Sequence, residues 1–133
     1  MSAHRFPVRI YYEDTDFSGN VYHAAYLKFF ERGRTEFLRD LGVHHSELAA
    51  QGLAFAVRAM EIDFLAAAHI DDLLTVTTAV QAMSGARLVL EQTIHREGIL
   101  LTRAGVTVVA IRTSGGPARL PASLRALLAA ETP

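Results

Sequence analysis

The chain has 133 residues, of which 50% are apolar, so it can bury one sizeable core and we expect a single domain over residues 1–133. Its 13 Lys and Arg side chains and 14 Asp and Glu side chains leave a net charge of -1, which gives no electrostatic basis for binding nucleic acid or an anionic membrane. The lack of cysteine excludes disulfides, thiolate metal sites, iron-sulfur clusters and cysteine nucleophiles.

The N-terminal stretch from Met1 to Pro7 is polar and has no apolar run of the kind found in a signal peptide. No other stretch approaches the ~20 apolar residues that a membrane span needs. We therefore expect a cytoplasmic protein with no integral membrane segment.

The first predicted strand shows an apolar side chain at every second position, which is the period of a half-buried strand. These positions are Phe6, Val8, Ile10 and Tyr12. Good turn and cap residues follow, so the sequence predicts a loop from Glu13 to Asn20 that leads into a helix.

The predicted helix runs from about Val21 or Tyr22 to Leu41, because large apolar residues recur there at steps of three and four. Gly42 is a suitable C-terminal cap. Gly33 lies in the middle of this helix, where glycine costs about 1 kcal/mol relative to alanine. We expect Gly33 to mark the close approach of another backbone.

Four further strands are predicted, at Leu53 to Phe64, Leu73 to Met83, Arg87 to Arg96 and Ile99 to Arg112. In the second of these, Leu74, Val76, Val80 and Ala82 are expected to share one face. After a Gly115-Gly116-Pro117 break, a short C-terminal helix is predicted to pack Leu124, Leu127 and Leu128 inward.

This order of elements favours antiparallel pairing, since consecutive strands are joined by short links and one long helix can cover only one sheet face. We infer an α+β hot-dog fold, in which an antiparallel five-stranded sheet wraps around the long helix. Its exposed strand edges could pair with a second copy, so we expect at least a dimer.

The candidate site is the loop that joins the first strand to the long helix. The first amides of a helix have no intrahelical acceptor and stabilise developing negative charge, and Asp16 lies a few residues before them. Asp16 could attack a thioester carbonyl or activate water while N–H groups near Tyr22 and His23 hold the oxyanion. His23 could transfer a proton, and Tyr12 could position the carboxylate. This chemistry needs no metal.

The stretch from Tyr12 to Tyr26, with Val-Tyr-His at 21 to 23, resembles the signature of the 4-hydroxybenzoyl-CoA thioesterase family, in particular its Tol-Pal-associated acyl-CoA thioesterase branch. Further similarity lies in Pro7-Val8-Arg9, in Phe30-Glu31-Arg32 with Arg34-Thr35-Glu36, and in Asp71-Asp72. The chain departs from the pattern at Phe17-Ser18 and Asn20, which puts the shape of the pocket in doubt.

The resemblance implies a hot-dog dimer, commonly paired into a tetramer, with acyl-CoA bound at the subunit interface. It implies that Asp16 is the catalytic carboxylate, that Tyr12 and His23 assist, and that the His23 amide polarises the thioester oxygen. From the same motif we expect Gly19, Val21, Tyr22 and Tyr26 to contact substrate. An acyl carrier protein could replace CoA, and no cofactor beyond the substrate is expected.

The phosphates of CoA have no dedicated loop, since neither G-x-x-x-x-G-K-[ST] nor G-x-G-x-x-G occurs in the chain. Arg87, after the Ser84-Gly85 turn, is the first candidate to bind them. Arg58 and Arg112 are weaker candidates.

Several alternatives remain open from the sequence. Asp14 to Val21 matches the first eight positions of a calcium-binding EF-hand loop, although Ala25 stands where the bidentate Glu belongs. A hot-dog protein that binds acyl-CoA or an acyl carrier protein without hydrolysis, or a hydratase, is another alternative. Tyr12 could instead be a core tyrosine, and Asp14 a turn residue. The remaining histidines, His44, His45, His69 and His95, are interpreted as structural or surface residues.

Overall fold

The computed structural model describes residues 3–133, so Met1 and Ser2, where the predicted domain begins, lie outside the described residues. Five strands and three helices follow one another along the chain. They are β1 (His4–Arg9), α1 (His23–Asp40), α2 (His45–Ala50), β2 (Leu53–Phe64), β3 (Leu73–Met83), β4 (Arg87–Arg96), β5 (Ile99–Arg112) and α3 (Ala122–Ala129).

The five strands form one antiparallel sheet in the order β1-β3-β4-β5-β2. Helix α1 packs its apolar face on the sheet, so Phe29 and Phe30 are fully buried against inward side chains such as Leu74, Leu90 and Val106. The predicted hot-dog architecture, with one long helix on a five-stranded antiparallel sheet and a short C-terminal helix, is confirmed.

The middle of α1 lies very close to the sheet at Gly33. A Cβ atom built on Gly33 would lie 2.7 Å from Cγ1 of Val76 and 3.3 Å from the side chains of Thr78 and Gln92. The predicted close approach is therefore real, but the neighbours are side chains of β3 and β4 rather than backbone. At the end of α1, Gly42 adopts φ 89° and its N–H donates to Arg39, so the predicted cap is confirmed.

The first strand is shorter than its alternating pattern predicts. It ends at Arg9, and Tyr12 begins a single 3-10 turn, Tyr12–Asp14, in which its side chain is 84% exposed. The alternative of Tyr12 as a core residue is therefore wrong. The alternation of apolar residues continues to Tyr12, although the backbone has left the sheet after Arg9.

Three other details differ from the sequence-based predictions. Residues 45–50 form α2, whereas no element was predicted there. Ala82 is exposed, because a bulge between Val80 and Ala82 shifts the register of β3 and rotates Ala82 off the inner face. Leu127 is 41% exposed, because α3 turns only Leu124 and Leu128 into the core.

Among residues 3–133, no helix combines the length and the apolar character that crossing a membrane would require.

Candidate active site

The loop between β1 and α1 is fastened at its start to the segment that precedes β3. The N–H of Ile10 donates to Asp72 O over 2.9 Å, and the N–H of Asp71 donates to Ile10 O over 3.1 Å. Arg9 adds a side-chain hydrogen bond to Asp71 O. Because Ile10 is fully buried, these main-chain bonds fix the direction in which the chain leaves the sheet.

The next residues form a small hairpin that presents Asp16. Thr15 and Val21 pair as an isolated bridge, the N–H of Asp16 donates to Asn20 O, and the N–H of Gly19 donates to Asp16 O. Gly19 has φ 83°, which favours glycine after such a turn. Gly19 thus shapes the turn, and this role does not depend on a contact with substrate.

The Asp16 side chain is exposed, and only one of its oxygens is engaged within residues 3–133. Oδ1 accepts hydrogen bonds from the hydroxyl and from the N–H of Ser18. Hydrogen bonds from the Ser18 hydroxyl and the Ser18 amide hold the pKa of Asp16 below its ordinary value; burial opposes them, and the attraction of His23 adds a lesser lowering. The carboxylate is therefore ionised at neutral pH, with Oδ2 available for chemistry.

The start of α1 offers amides without protein acceptors. The N–H of Val21 donates to Ala68 O and that of Tyr22 to Asp14 O, so neither can hold an oxyanion. Within the described chain, no hydrogen bond is found for the N–H of His23 or Ala24, the first two residues of the helix. The Tyr22 amide was predicted as a donor and is excluded, whereas the His23 amide remains available.

His23 is the first residue of α1, and it is exposed. Its ring centroid is 4.8 Å from that of Phe64, the last residue of β2, and the attraction of His23 is the least of the causes that lower the pKa of Asp16. Asp16 and His23 therefore lie in the same part of the surface. The structure forms no hydrogen bond between Tyr12 and either of them within the described residues.

Two of the predicted substrate contacts are core residues. Val21 is 5% exposed and Tyr26 is 2% exposed, and the Tyr26 hydroxyl oxygen accepts a hydrogen bond from the N–H of Ala68. Burial raises the pKa of Tyr26. Both side chains are part of the core beneath the loop and are not at the protein surface, whereas Tyr22 is exposed beside the site.

A second brace, which sequence analysis missed as part of the site, joins Asp72 to Arg96. Asp72 Oδ2 accepts from the His69 N–H at 2.9 Å and from Arg96 Nη1 at 2.8 Å, and Arg96 also donates to Ala67 O. Although burial opposes it, the hydrogen bonds from His69 and Arg96 lower the pKa of Asp72. Asp71-Asp72 stood out in the sequence, but its partner on β4 could not be read from local spacing.

Arg87 does not belong to the Asp16 site of its own chain. It starts β4 and Arg96 ends this strand, so the two lie roughly 30 Å apart at ~3.4 Å per residue. Only the Arg96 end contacts the segment that braces the Asp16 loop. Arg112 lies at the far end with Arg87 and donates to Pro117 O, and Arg58 stands on a bulge of the edge strand β2.

The structure does not support the alternative of a calcium-binding EF-hand loop. Strand β1 and a 3-10 turn precede the loop where an EF-hand has a helix, and one oxygen of Asp14 is engaged by the N–H of Tyr11. Ala25, at the position of the bidentate Glu, is buried. Across residues 3–133, no group of three or more His, Asp or Glu side chains is arranged to hold a metal ion.

Comparisons with known proteins identify the family of the chain. Residues 11–128 match the model of the thioesterase-like superfamily. The acyl-CoA thioesterase YbgC of Haemophilus influenzae is 50% identical over 107 residues, which cover 80% of this chain and 79% of that protein. The acyl-CoA thioester hydrolase YbgC of Escherichia coli O6:H1 is 46% identical over 108 residues, covering 80% and 81%.

A solved structure leads to the same family. The probable thioesterase from Bartonella henselae superposes with a TM-score of 0.87 at 49% sequence identity, covering 90% of this chain and 100% of that one. The resemblance predicted from residues 12–26 is confirmed. The chain belongs to the thioesterase-like superfamily, in the family of hot-dog acyl-CoA thioesterases that includes the YbgC proteins.

Proposed function

We propose that the protein hydrolyses acyl-CoA thioesters to a free acid and CoA at the Asp16 loop. The observation that carries the proposal is an ionised, exposed carboxylate in the loop that leads into α1, whose first two amides, those of His23 and Ala24, are unengaged. Relatives of similar length that bear the name of this activity support it.

In the proposed reaction, Asp16 Oδ2 attacks the thioester carbon. Negative charge develops on the thioester carbonyl oxygen, which accepts hydrogen bonds from the His23 and Ala24 amides. The C–S bond breaks, the CoA thiolate takes a proton delivered through His23, and water hydrolyses the resulting anhydride. The lowered pKa of Asp16 favours a nucleophile, since a general base works best with a pKa near the operating pH. No cofactor takes part, and Tyr12, which is exposed beside the loop, contributes only to orientation.

We further propose that the site is completed by a second copy, in a homodimer or a homotetramer. Phe17 is fully exposed, and Tyr22, Leu27 and Phe64 also present apolar surface around the carboxylate. A single chain leaves the thioester open to water, whereas a partner at the free edge of β2 would cover this surface. Arg87 or Arg58 of a second copy could then meet the CoA phosphates. Light scattering that shows only a monomer at micromolar concentration contradicts this arrangement.

The principal test is a thiol-release assay over acyl-CoAs of graded length, with an acyl carrier protein thioester beside them. Asp16→Asn should lower turnover at least ~100-fold with an unchanged melting temperature, because the reacting charge is lost and no packing changes. Glu91→Gln, an exposed change on β4 of the same chemical type, should retain full activity. Full activity in Asp16→Asn contradicts the proposal.

Two outcomes favour a different function. If the thioester is bound but stays intact, the protein is a carrier or binding protein, and if the acyl chain changes without thiol release, it is a hydratase. Single turnover in heavy-oxygen water separates the two roles of Asp16, since only a nucleophile acquires label in its carboxylate. The cytoplasmic location stays a prediction that cell fractionation can test.

A further inference from the structure

A cavity of about 190 Å³ lies between α1 and β2, away from the Asp16 loop. Its floor and far wall are apolar and come from β4, β5 and the C-terminal half of α1: Leu88, Leu90, Val108 and Leu38. Phe55 and Val57 of β2 form the side that faces solvent. This volume is large enough for a short apolar chain or a ring, since a cavity of about 150 Å³ can hold benzene.

One wall of the cavity carries a positive charge. Arg34 lines it, and Nη1 of Arg34 donates to Gln92 Oε1 over 3.0 Å. Gln92 is fully buried and is itself fixed, because its Nε2 donates to Phe30 O and to Thr78 Oγ1, both at 2.9 Å. The guanidinium is thus held in place from the centre of the sheet.

The charge of Arg34 is only partly compensated by the protein. Burial lowers the pKa of Arg34, against the attraction of Glu31, and within residues 3–133 no carboxylate oxygen lies within 4.0 Å of its guanidinium. Of its five N–H donors, only one is engaged by a described residue. A desolvated cation with unused donors is stabilised by a ligand that brings an acceptor.

A strip of the α1 surface, from His23 to Glu31, leads from the candidate site to the cavity, and we call this strip the seam. His23, Leu27 and Glu31 follow one another at steps of four along α1, so they lie on one stripe, and Glu31 lines the cavity about 12 Å from His23. Strand β2 takes part at both places, since Phe64 lies beside His23 and Val57 lines the cavity. The exposed side chain of Leu27 provides an apolar surface between the two.

We propose that the acyl group extends along this seam into the cavity, and that Arg34 is a specificity-determining residue that favours acyl groups with an oxygen acceptor at their far end. This inference rests on the proposed thioesterase function. A hydroxyl fits best, because it accepts from Arg34 and can donate to Glu31. A carboxylate satisfies Arg34 alone, and a methyl group satisfies neither.

The test measures binding, by calorimetry, of thioether analogues of acyl-CoA that cannot be hydrolysed. Three analogues of equal length end in a methyl, a hydroxyl or a carboxylate group. The wild-type protein should bind the oxygen-ended analogues at least about tenfold more tightly than the methyl analogue, and Arg34→Met should remove that preference. Arg39→Met, the same change on the exposed face of α1, should keep it. Equal affinities in the wild type, or a preference that survives Arg34→Met, overturn the proposal.

A second variant covers the case in which Arg34→Met fails to fold. Val57→Phe places a larger side chain at the mouth of the cavity on an edge strand, where Val57 is 46% exposed in the single chain, so the fold should tolerate it, and light scattering checks that the oligomeric state matches the wild type. In a second series, of methyl-ended thioether analogues with graded acyl length, Val57→Phe should weaken binding of the longer analogues at least about tenfold and leave the shortest ones unchanged. Unchanged affinity across the series overturns the proposal. Because binding needs no turnover, these results are separate from the thiol-release assay that tests hydrolysis.

Discussion

The loop at the start of α1 and the middle of α1 are held in place by different kinds of contact. Around Asp16 the side chains are exposed, and main-chain hydrogen bonds from Ile10, Asp16 and Tyr22 fix the loop. Around Gly33, by contrast, contacts with the buried side chains of Val76, Thr78 and Gln92 hold the helix on the sheet. Main-chain hydrogen bonds hold the Asp16 loop while its side chains stay exposed, whereas side-chain packing at Gly33 contributes to the stability of the fold.

The comparison predicts that substitutions in the middle of α1 change stability most. Gly33→Ala should lower the free energy of unfolding by about 1–3 kcal/mol, because its Cβ would overlap the stiff, fully buried Val76, and this outweighs the gain in helix propensity. Urea unfolding measures the change. Gly105→Ala is the matched control, since nothing lies within 4 Å of its Cβ, and it should stay within ~0.5 kcal/mol. Equal effects of the two variants would contradict the close approach.

The brace behind the Asp16 loop should show an intermediate effect. Asp72→Asn should lower the free energy of unfolding by about 1 kcal/mol at neutral pH, because it weakens the bonds from Arg96 and His69. The pKa of Asp72 in the folded protein is depressed, so its contribution to stability is fully present above its ordinary pKa of 3.8 and is lost as the pH falls through the lower, folded-state pKa. The difference between the variant and the wild type should therefore shrink in acid. A constant difference across pH, or an equal loss in the exposed Asp63→Asn, would argue against this brace.

The smallest effect on stability is expected at the tip of the loop. Ser18→Ala removes the largest cause of the lowered pKa of Asp16, so this pKa should rise towards its ordinary value. The acidic limb of the kcat/KM profile should move to higher pH with an unchanged melting temperature, since a larger fraction of Asp16 is then protonated in mild acid. Ser114→Ala, in an exposed turn, should leave the profile in place. An acidic limb that ignores Ser18 would show that another group controls it.

Local patterns in the sequence predicted much of this molecule. The period of two predicted β2 to β5, and the steps of three and four predicted α1 and its end at Gly42. The loop before that helix predicted a candidate site at Asp16, whose chemistry stays a prediction. These features depend on neighbours along the chain, so spacing alone reveals them. The same local view failed at Tyr12, where alternation continued past the end of β1.

Tertiary structure decided which of those groups can act. Residues distant in sequence occupy the Val21 amide, place Phe64 against His23, tie Arg96 to Asp72 and carry Arg87 to the other end of β4. The antiparallel order of the strands sets these pairings, and no local period encodes that order. The sequence therefore determined that an aspartate-bearing loop precedes a long helix, whereas the fold determined which amides of that helix remain free and where the guanidinium of Arg34 is held.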